Sequence, residues 1–270
     1  MRRRSQLYVP ANNPRMVAKA AGLEADSIVF DLEDAVPAKE KASARDALGP
    51  ALRKADWGSR ELAVRINALT TPEGERDVAA VAKEPLLQGI VVPKPEGDLS
   101  SLARTTGKAL LPIIESARGL LHIEDVVRSE GVVAVTWGAG DLAASVGGDI
   151  GAYGRNPYVK TLIVMAAAAY GLDAIDRVFF DLEDDDGFRA EALEAKSLGY
   201  VGKQVVHPRQ VRLANELFSA TPEETRWARD VVAAYEAAAR EGRGAIRVGD
   251  QLVDAVHYRA AKRVLERAGV

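Results

Sequence analysis

Short apolar runs rich in β-branched residues alternate along most of the chain with longer stretches patterned at helical spacing. The strand-like runs are residues 6–9, 27–31, 62–67, 89–93, 109–115, 132–138, 174–180 and 202–207. Several of them, such as Ile28-Val29-Phe30 and Ile90-Val91-Val92, contain no polar position. Strands covered on both faces read this way, as in parallel sheets flanked by helices. A helix is predicted over 14–23, after the cap signal Asn12-Asn13 and with Pro14 where its missing N–H is harmless. Helices over 39–54, 72–83 and 100–107 follow the next three strands. Helices over 161–170 and 188–198 follow later ones, the second stopped by Gly199. Each unit takes about 25–35 residues, the length of a right-handed βαβ crossover. Eight in series predict an α/β fold, a TIM-type (β/α)8 barrel over residues 1–220. An open doubly wound sheet is the alternative, but no Gly-x-Gly-x-x-Gly follows the first strand.

The last 50 residues read differently. Trp227, Val231 and Tyr235 share one face of a helix predicted over 222–240. A Gly-rich hinge over 241–249 leads to a final helix over 254–268. Residues 221–270 are expected to form a C-terminal helical extension or lid, too short for an independent domain.

Composition narrows the chemistry. The 270 residues carry 36 basic and 39 acidic side chains, a net charge of -3, no cysteine, and three histidines at 122, 207 and 257. Disulfides, thiolate metal sites and cysteine nucleophiles are excluded. The near-balance of charge points to neither nucleic acid nor a membrane surface. The longest purely apolar run, residues 162–170, falls well short of the roughly 20 needed to span a bilayer. The N-terminus has no signal-peptide core. The expectation is a soluble, cytoplasmic protein.

Barrel enzymes place their chemistry where strands end. Polar residues punctuate those ends here: Asp31-Leu-Glu33-Asp34, Arg65, Lys94, Glu115, Asp141 and Lys203. Glu115 and Asp141 are one βα unit apart, and neighbouring strands lie about 4.8 Å apart. The two carboxylates can share a cation. Oxygen-only ligands favour Mg²⁺, with Mn²⁺ able to substitute. The competing reading is that each carboxylate merely begins a helix. Among Asp31, Glu33 and Asp34, one can support a metal or its waters, or all can pair with nearby cations. The repeat of Asp-Leu-Glu-Asp at 181–184 reads as a solvated acidic loop. Arg65 suits a carboxylate or a developing enolate oxygen, or a structural ion pair. Lys94 reads as an ion-pair lysine rather than a Schiff base, and His207 as structural. No Gly-x-Ser-x-Gly elbow supports a hydrolase triad.

Taken in order, these segments resemble the citrate lyase β-subunit family, within the HpcH/HpaI-type aldolases. The matching pieces are Arg4-Ser-Gln-Leu-Tyr-Val-Pro10 with Asn12-Asn-Pro-Arg15, Asp31-Leu-Glu-Asp-Ala-Val36, Val64-Arg-Ile-Asn67, Val92-Pro-Lys94, Pro112-Ile-Ile-Glu-Ser-Ala-Arg118, Gly138-Ala-Gly-Asp-Leu142, Gly202-Lys203 and His207-Pro208. Ala11 departs from the glycine common in its turn. The resemblance implies a Mg²⁺-dependent carbon–carbon lyase acting on a citryl-type acyl-CoA or acyl-carrier thioester and releasing oxaloacetate or a related keto acid. It also implies a homotrimer or hexamer, with citrate lyase α and γ subunits as possible partners. Stand-alone malyl-CoA or citramalyl-CoA lyases are the alternative; a class II pyruvate aldolase or a non-catalytic binding barrel are more distant ones. By the same resemblance Glu115 and Asp141 hold the metal, Glu115 also touching substrate. Arg65 binds substrate and acts in catalysis with Glu33. Tyr8, Arg15 and Lys19 hold the CoA or thioester arm. Asp254, in a lid segment, is the acid/base, although it also reads as the N-cap of the last helix.

Overall fold

Eight strands close into a parallel barrel in the order in which they occur in the chain. A computed structural model describes residues 1–270. The strands are β1 (Ser5–Pro10), β2 (Ser27–Asp31), β3 (Glu61–Arg65), β4 (Gly89–Pro93), β5 (Ala109–Ile114), β6 (Ala134–Trp137), β7 (Asp173–Asp176) and β8 (Gly202–Val205). The helices between them are α1 (Pro14–Ala20), α2 (Lys41–Leu52), α3 (Pro72–Val81), α4 (Ser100–Thr106), α5 (Ala117–Leu121), α6 (Ile123–Val127), α7 (Ala139–Val146), α8 (Ile150–Gly154), α9 (Pro157–Ala169), α10 (Asp185–Leu198) and α11 (Pro208–Phe218). Pairing of Ser5 with Lys203 joins β1 to β8 and removes both sheet edges.

Local chemistry starts and stops the helices where the sequence signals them. Asn13, Thr71 and Asn156 accept hydrogen bonds from the first free amides of α1, α3 and α9, each with Pro next in the chain. Gly199 ends α10 at φ +115°, a conformation that costs any residue with a Cβ. The barrel interior is a layer of small and branched side chains, among them Val29, Ala63, Val91, Leu111, Ala134 and Ile175. Above the base, Gln204 donates to Thr136 and the Tyr8 hydroxyl donates to Gln6 at 3.3 Å. At the base, Arg3 reaches both Glu61 and Asp173 at 2.7 Å and so ties β3 to the start of β7.

One predicted strand differs. The strand expected over 174–180 ends at Asp176. The apolar residues beyond it leave the sheet: Phe179 packs edge-on against Phe188 of α10, with ring centroids 5.9 Å apart, and Phe180 is exposed. Hydrophobicity there serves loop packing, which the sequence pattern does not distinguish from a strand. Helices α5 and α7 begin beside Glu115 and Asp141, as the competing reading of those carboxylates has it, whereas α6, α8 and α11 lie outside the predicted helices. The short ones rest on local caps such as Ser116 and Asp149 rather than on long apolar periodicity.

The chain divides into compact units Met1–Glu216 and Leu217–Val270. The second unit contains α12 (Pro222–Arg240), a hairpin of β9 (Ala245–Val248) and β10 (Gln251–Asp254), and α13 (Ala255–Ala268). The supposed hinge is thus a hairpin, turned at Gly249 with φ +58°. Ala228, Val231, Val253 and Ala261 form a small core of its own. Tyr235 and Tyr258 stack with centroids 4.9 Å apart. No helix is long and apolar enough to cross a membrane.

Candidate active site

The C-terminal ends of β1, β2, β3, β5, β6 and β7 surround a cavity of about 440 Å³. Inward parity at each strand end carries Tyr8, Asp31, Arg65 and Glu115 to its wall. Asp141 enters it from the first turn of α7.

Arg65 is the most constrained of these groups. Its guanidinium grips Asp31 with two bonds, Nε to Oδ1 at 2.9 Å and Nη2 to Oδ2 at 2.6 Å. Nη1 lies 3.0 Å from Glu33 Oε2, in ion-pair range without hydrogen-bond alignment. The Tyr8 ring lies beneath it, 5.4 Å from its central carbon. Burial is the largest single influence on Arg65 and opposes its charge, but the hydrogen bonds and negative charge of Asp31, with Glu33, together outweigh it and raise the pKa further.

Glu115 is buried, only 4 % exposed, whereas Asp141 is 43 % exposed. One carboxylate is therefore anchored in the wall and the other faces the opening. Glu115 Oε1 accepts from the Lys94 amide at 3.2 Å. The Lys94 ammonium lies 3.8 Å from the same oxygen, 3.3 Å from Asp141 Oδ1 and 3.1 Å from Glu33 Oε1. Burial, against the opposing charge of Lys94, pushes the Glu115 carboxyl up to about 8. Burial likewise raises Glu33, with Arg65 opposing.

The two carboxylates fit a hard divalent ion. A single cationic atom, Lys94 Nζ, already contacts oxygens of both, so one positive centre can serve the pair. No group of three or more acidic or histidine side chains is placed to share an ion. Asp31 and Glu33 are turned toward Arg65 and Lys94 instead. Two protein ligands leave room for waters and substrate, as Mg²⁺ sites commonly do.

Gly138 makes room for this arrangement. A Cβ there would stand 2.6 Å from Glu115 Oε2. Gly138→Ala is expected to leave a cooperative thermal transition but to weaken divalent-ion affinity by roughly tenfold or more, because the displaced carboxylate is a ligand. Titration with Mn²⁺ checks it; unchanged affinity would show that Glu115 Oε2 does not have to hold its place.

The remaining expected residues are dispersed. Tyr8 lies inside the barrel against Arg65 and lines the cavity. Arg15 lies beside a separate shallow opening with Asn12 and Asn13, and Lys19 is exposed in the last turn of α1. Asp254 belongs to the second unit, where it caps α13: its Oδ1 accepts from the Val256 amide at 2.9 Å and meets His257 Nδ1 at 2.8 Å. Those bonds, His257 first, hold its carboxyl below the usual range. Sequence reasoning did not single out the steric role of Gly138 or the site wall formed by Arg177. Arg177 is held by Glu191 and stacks 5.8 Å above Trp137. Its position right after a strand end was the available signal.

Residues 4–208 match the family described as HpcH/HpaI aldolase/citrate lyase, and residues 154–270 match one described as a carbon–carbon bond lyase of the TIM-barrel fold. A (3S)-malyl-CoA thioesterase of Cereibacter sphaeroides is 35% identical over 277 residues, covering 98% of this chain and 94% of the relative. The citrate lyase subunit beta of Leuconostoc mesenteroides subsp. cremoris is 36% identical over 282 residues, covering 98% and 93%. Among solved structures, CitE of Mycobacterium tuberculosis in complex with magnesium, acetoacetate and coenzyme A superposes with a TM-score of 0.82 at 32% identity, covering 98% of both chains. With the barrel, its paired carboxylates and its buried arginine, these matches show that the chain belongs to the HpcH/HpaI aldolase/citrate lyase family of carbon–carbon lyases.

Proposed function

We propose that this protein is a Mg²⁺-dependent lyase that cleaves a 3-hydroxyacyl thioester bearing a carboxylate on its carbinol carbon, of the citryl-thioester type. The observation that carries this is one cavity holding Glu115 and Asp141 around a single cation position, together with the clamped Arg65. The bond that breaks joins the carbinol carbon to the α-carbon of the thioester. The hydroxyl gives up its proton, the carbinol carbon becomes the carbonyl of a keto acid, and the bonding pair passes into a thioester enolate. That enolate takes a proton at carbon and leaves as the acyl thioester.

Glu115 and Asp141 would hold the ion. When bound, Mg²⁺ supplies charge that orients the substrate carboxylate and favours loss of the hydroxyl proton. Arg65, with its orientation fixed by Asp31, offers its remaining N–H donors to the enolate oxygen without rearranging during the reaction. Glu33 bridges Arg65 and Lys94 and keeps both cations at the cavity wall. Protonation of carbon is assigned to Asp254, on the lid-segment motif, from a neighbouring subunit of a trimer or hexamer. Tyr8, Arg15 and Lys19 are assigned to the thioester arm. A cytoplasmic location suits a CoA or carrier-protein thioester substrate, and citrate lyase α and γ subunits remain candidate partners.

Keto-acid release should be measured with Mg²⁺ across citryl, malyl and citramalyl thioesters, each on CoA and on a carrier protein. Keto acid from at least one of them is expected. Its absence from all of them overturns the lyase assignment. Free hydroxy acid and free thiol without keto acid would move it to thioester hydrolysis, the activity in the name of the malyl-CoA thioesterase relative. Asp254→Ala is expected to lower kcat by about 10²-fold or more with KM little changed, the usual size of an acid/base contribution. Full turnover in that variant would restrict Asp254 to its capping role.

A further inference from the structure

Lys94 is the only residue other than glycine with a positive φ, +49°. A lysine held in the left-handed region is under backbone strain that its surroundings must offset. Here that conformation directs both ends of one residue at the same carboxylate. The backbone amide donates to Glu115 Oε1 at 3.2 Å, and the ammonium lies 3.8 Å from the same atom. The ammonium also stands 3.3 Å from Asp141 Oδ1. Its one aligned side-chain hydrogen bond goes elsewhere, to Glu33 Oε1 at 3.1 Å.

We infer that Lys94 is the resident counter-cation of the metal site, a positioning residue whose ammonium holds Glu115 and Asp141 together and competes with the divalent ion for their oxygens. This rests on the reading of Glu115 and Asp141 as the ion's ligands. Arg65 does not take the role, because two of its three nitrogens are committed to Asp31. No other cation lies within ion-pair distance of Glu115 or Asp141. Without Lys94, the repulsion between Glu115 and Asp141 would be opposed only by the more distant charge of Arg65. With Lys94 present, their geometry is set before an ion arrives. The bond to Glu33 gives the ammonium a place to stay when the ion takes the carboxylate oxygens, and the flexible four-carbon stem permits the small shift required. The consequence is an ion site whose affinity is held down by its own lysine.

The test is Mn²⁺ binding, followed by the paramagnetic signal of free ion and by titration calorimetry with Mg²⁺, on the full-length wild type and on Lys94→Met, Lys94→Arg and Asp141→Asn. Lys94→Met is expected to bind Mn²⁺ at least tenfold more tightly than wild type, and Lys94→Arg, which keeps the charge, to stay near wild type. Metal-free Lys94→Met should melt at a lower temperature than metal-free wild type, and saturating Mg²⁺ should raise its Tm by more than it raises that of wild type. A lysine with a purely structural role would lower the Tm without tightening ion binding. Equal or weaker Mn²⁺ affinity in Lys94→Met overturns the inference. If that variant does not fold, Lys94→Gln, which keeps a donor for Glu33, gives the same comparison. Asp141→Asn separates the two levels of the argument. If wild-type ion binding survives in Asp141→Asn, the ligand assignment fails and the inference with it. If binding is lost there but unchanged in Lys94→Met, only the inference fails.

Discussion

Glu115→Gln is expected to lower keto-acid release by about 10³-fold or more at saturating thioester while leaving a cooperative thermal transition intact. The size follows from the loss of an ion that carries several kcal/mol of charge stabilisation in the transition state. Glutamine keeps an oxygen in nearly the same place, so the buried wall is not emptied. Divalent-ion binding should fall in parallel, and activity near wild type in this variant would remove Glu115 from the ion site. The acidity of Glu115 adds a pH signature. Burial raises its carboxyl to about 8 in the metal-free protein, so at neutral pH an incoming ion displaces a proton. Apparent Mg²⁺ affinity of wild type should therefore climb with pH and level off above about 8. The metal-free protein should show the opposite trend in stability. From the ordinary glutamate range up to about 8 the unfolded chain has lost this proton and the folded chain has kept it, so stability falls as pH rises. Saturating Mg²⁺ should flatten that fall.

Arg65→Met is expected to cost about 10³-fold in kcat/KM, the upper range for loss of one preorganised oxyanion donor, and to destabilise the fold as well. Asp31 is 2 % exposed and receives two bonds from Arg65. Removing the cation leaves a buried carboxylate unpaired, which typically costs about 3–5 kcal/mol. Pairing Arg65→Met with Asp31→Asn removes the orphaned charge. The double variant should recover most of the lost Tm and none of the lost activity. Recovery of both would mean that Arg65 serves the fold alone. Arg65→Lys should fall between, since an ammonium cannot reproduce the two-pronged grip on Asp31.

Particular residues show how far the sequence could be read. Asp31, Arg65, Glu115 and Asp141 were all legible as polar residues at or beyond apolar runs; strand parity aims the first three at the barrel mouth, while the first turn of α7 brings in Asp141. Their pairings were not. Whether Arg65 was free for substrate or tied to an acid was open from sequence, and it is tied to Asp31 while still lining the cavity. Tyr8 stood in a predicted strand, but that its ring lies buried under Arg65 was not legible, since one residue of strand register decides which face a side chain takes. The run 178–180 looked like strand and is loop: Phe179 packs on Phe188, Phe180 is exposed, and an apolar run does not by itself supply the hydrogen-bond pairing that makes a strand.

By itself the sequence determined the eightfold alternation of strands and helices, the barrel it builds, and a chemistry without cysteine in which carboxylates, lysine and arginine stand at the strand ends. These are properties of local pattern and composition, which each segment carries alone. Only the tertiary structure decided that Lys94 stands among Glu33, Glu115 and Asp141, that a Cβ at Gly138 would press on the Glu115 carboxylate, and that burial raises the Glu115 carboxyl to about 8. Those facts depend on distances between residues far apart in the chain. Such distances exist only once the strands have closed on one another.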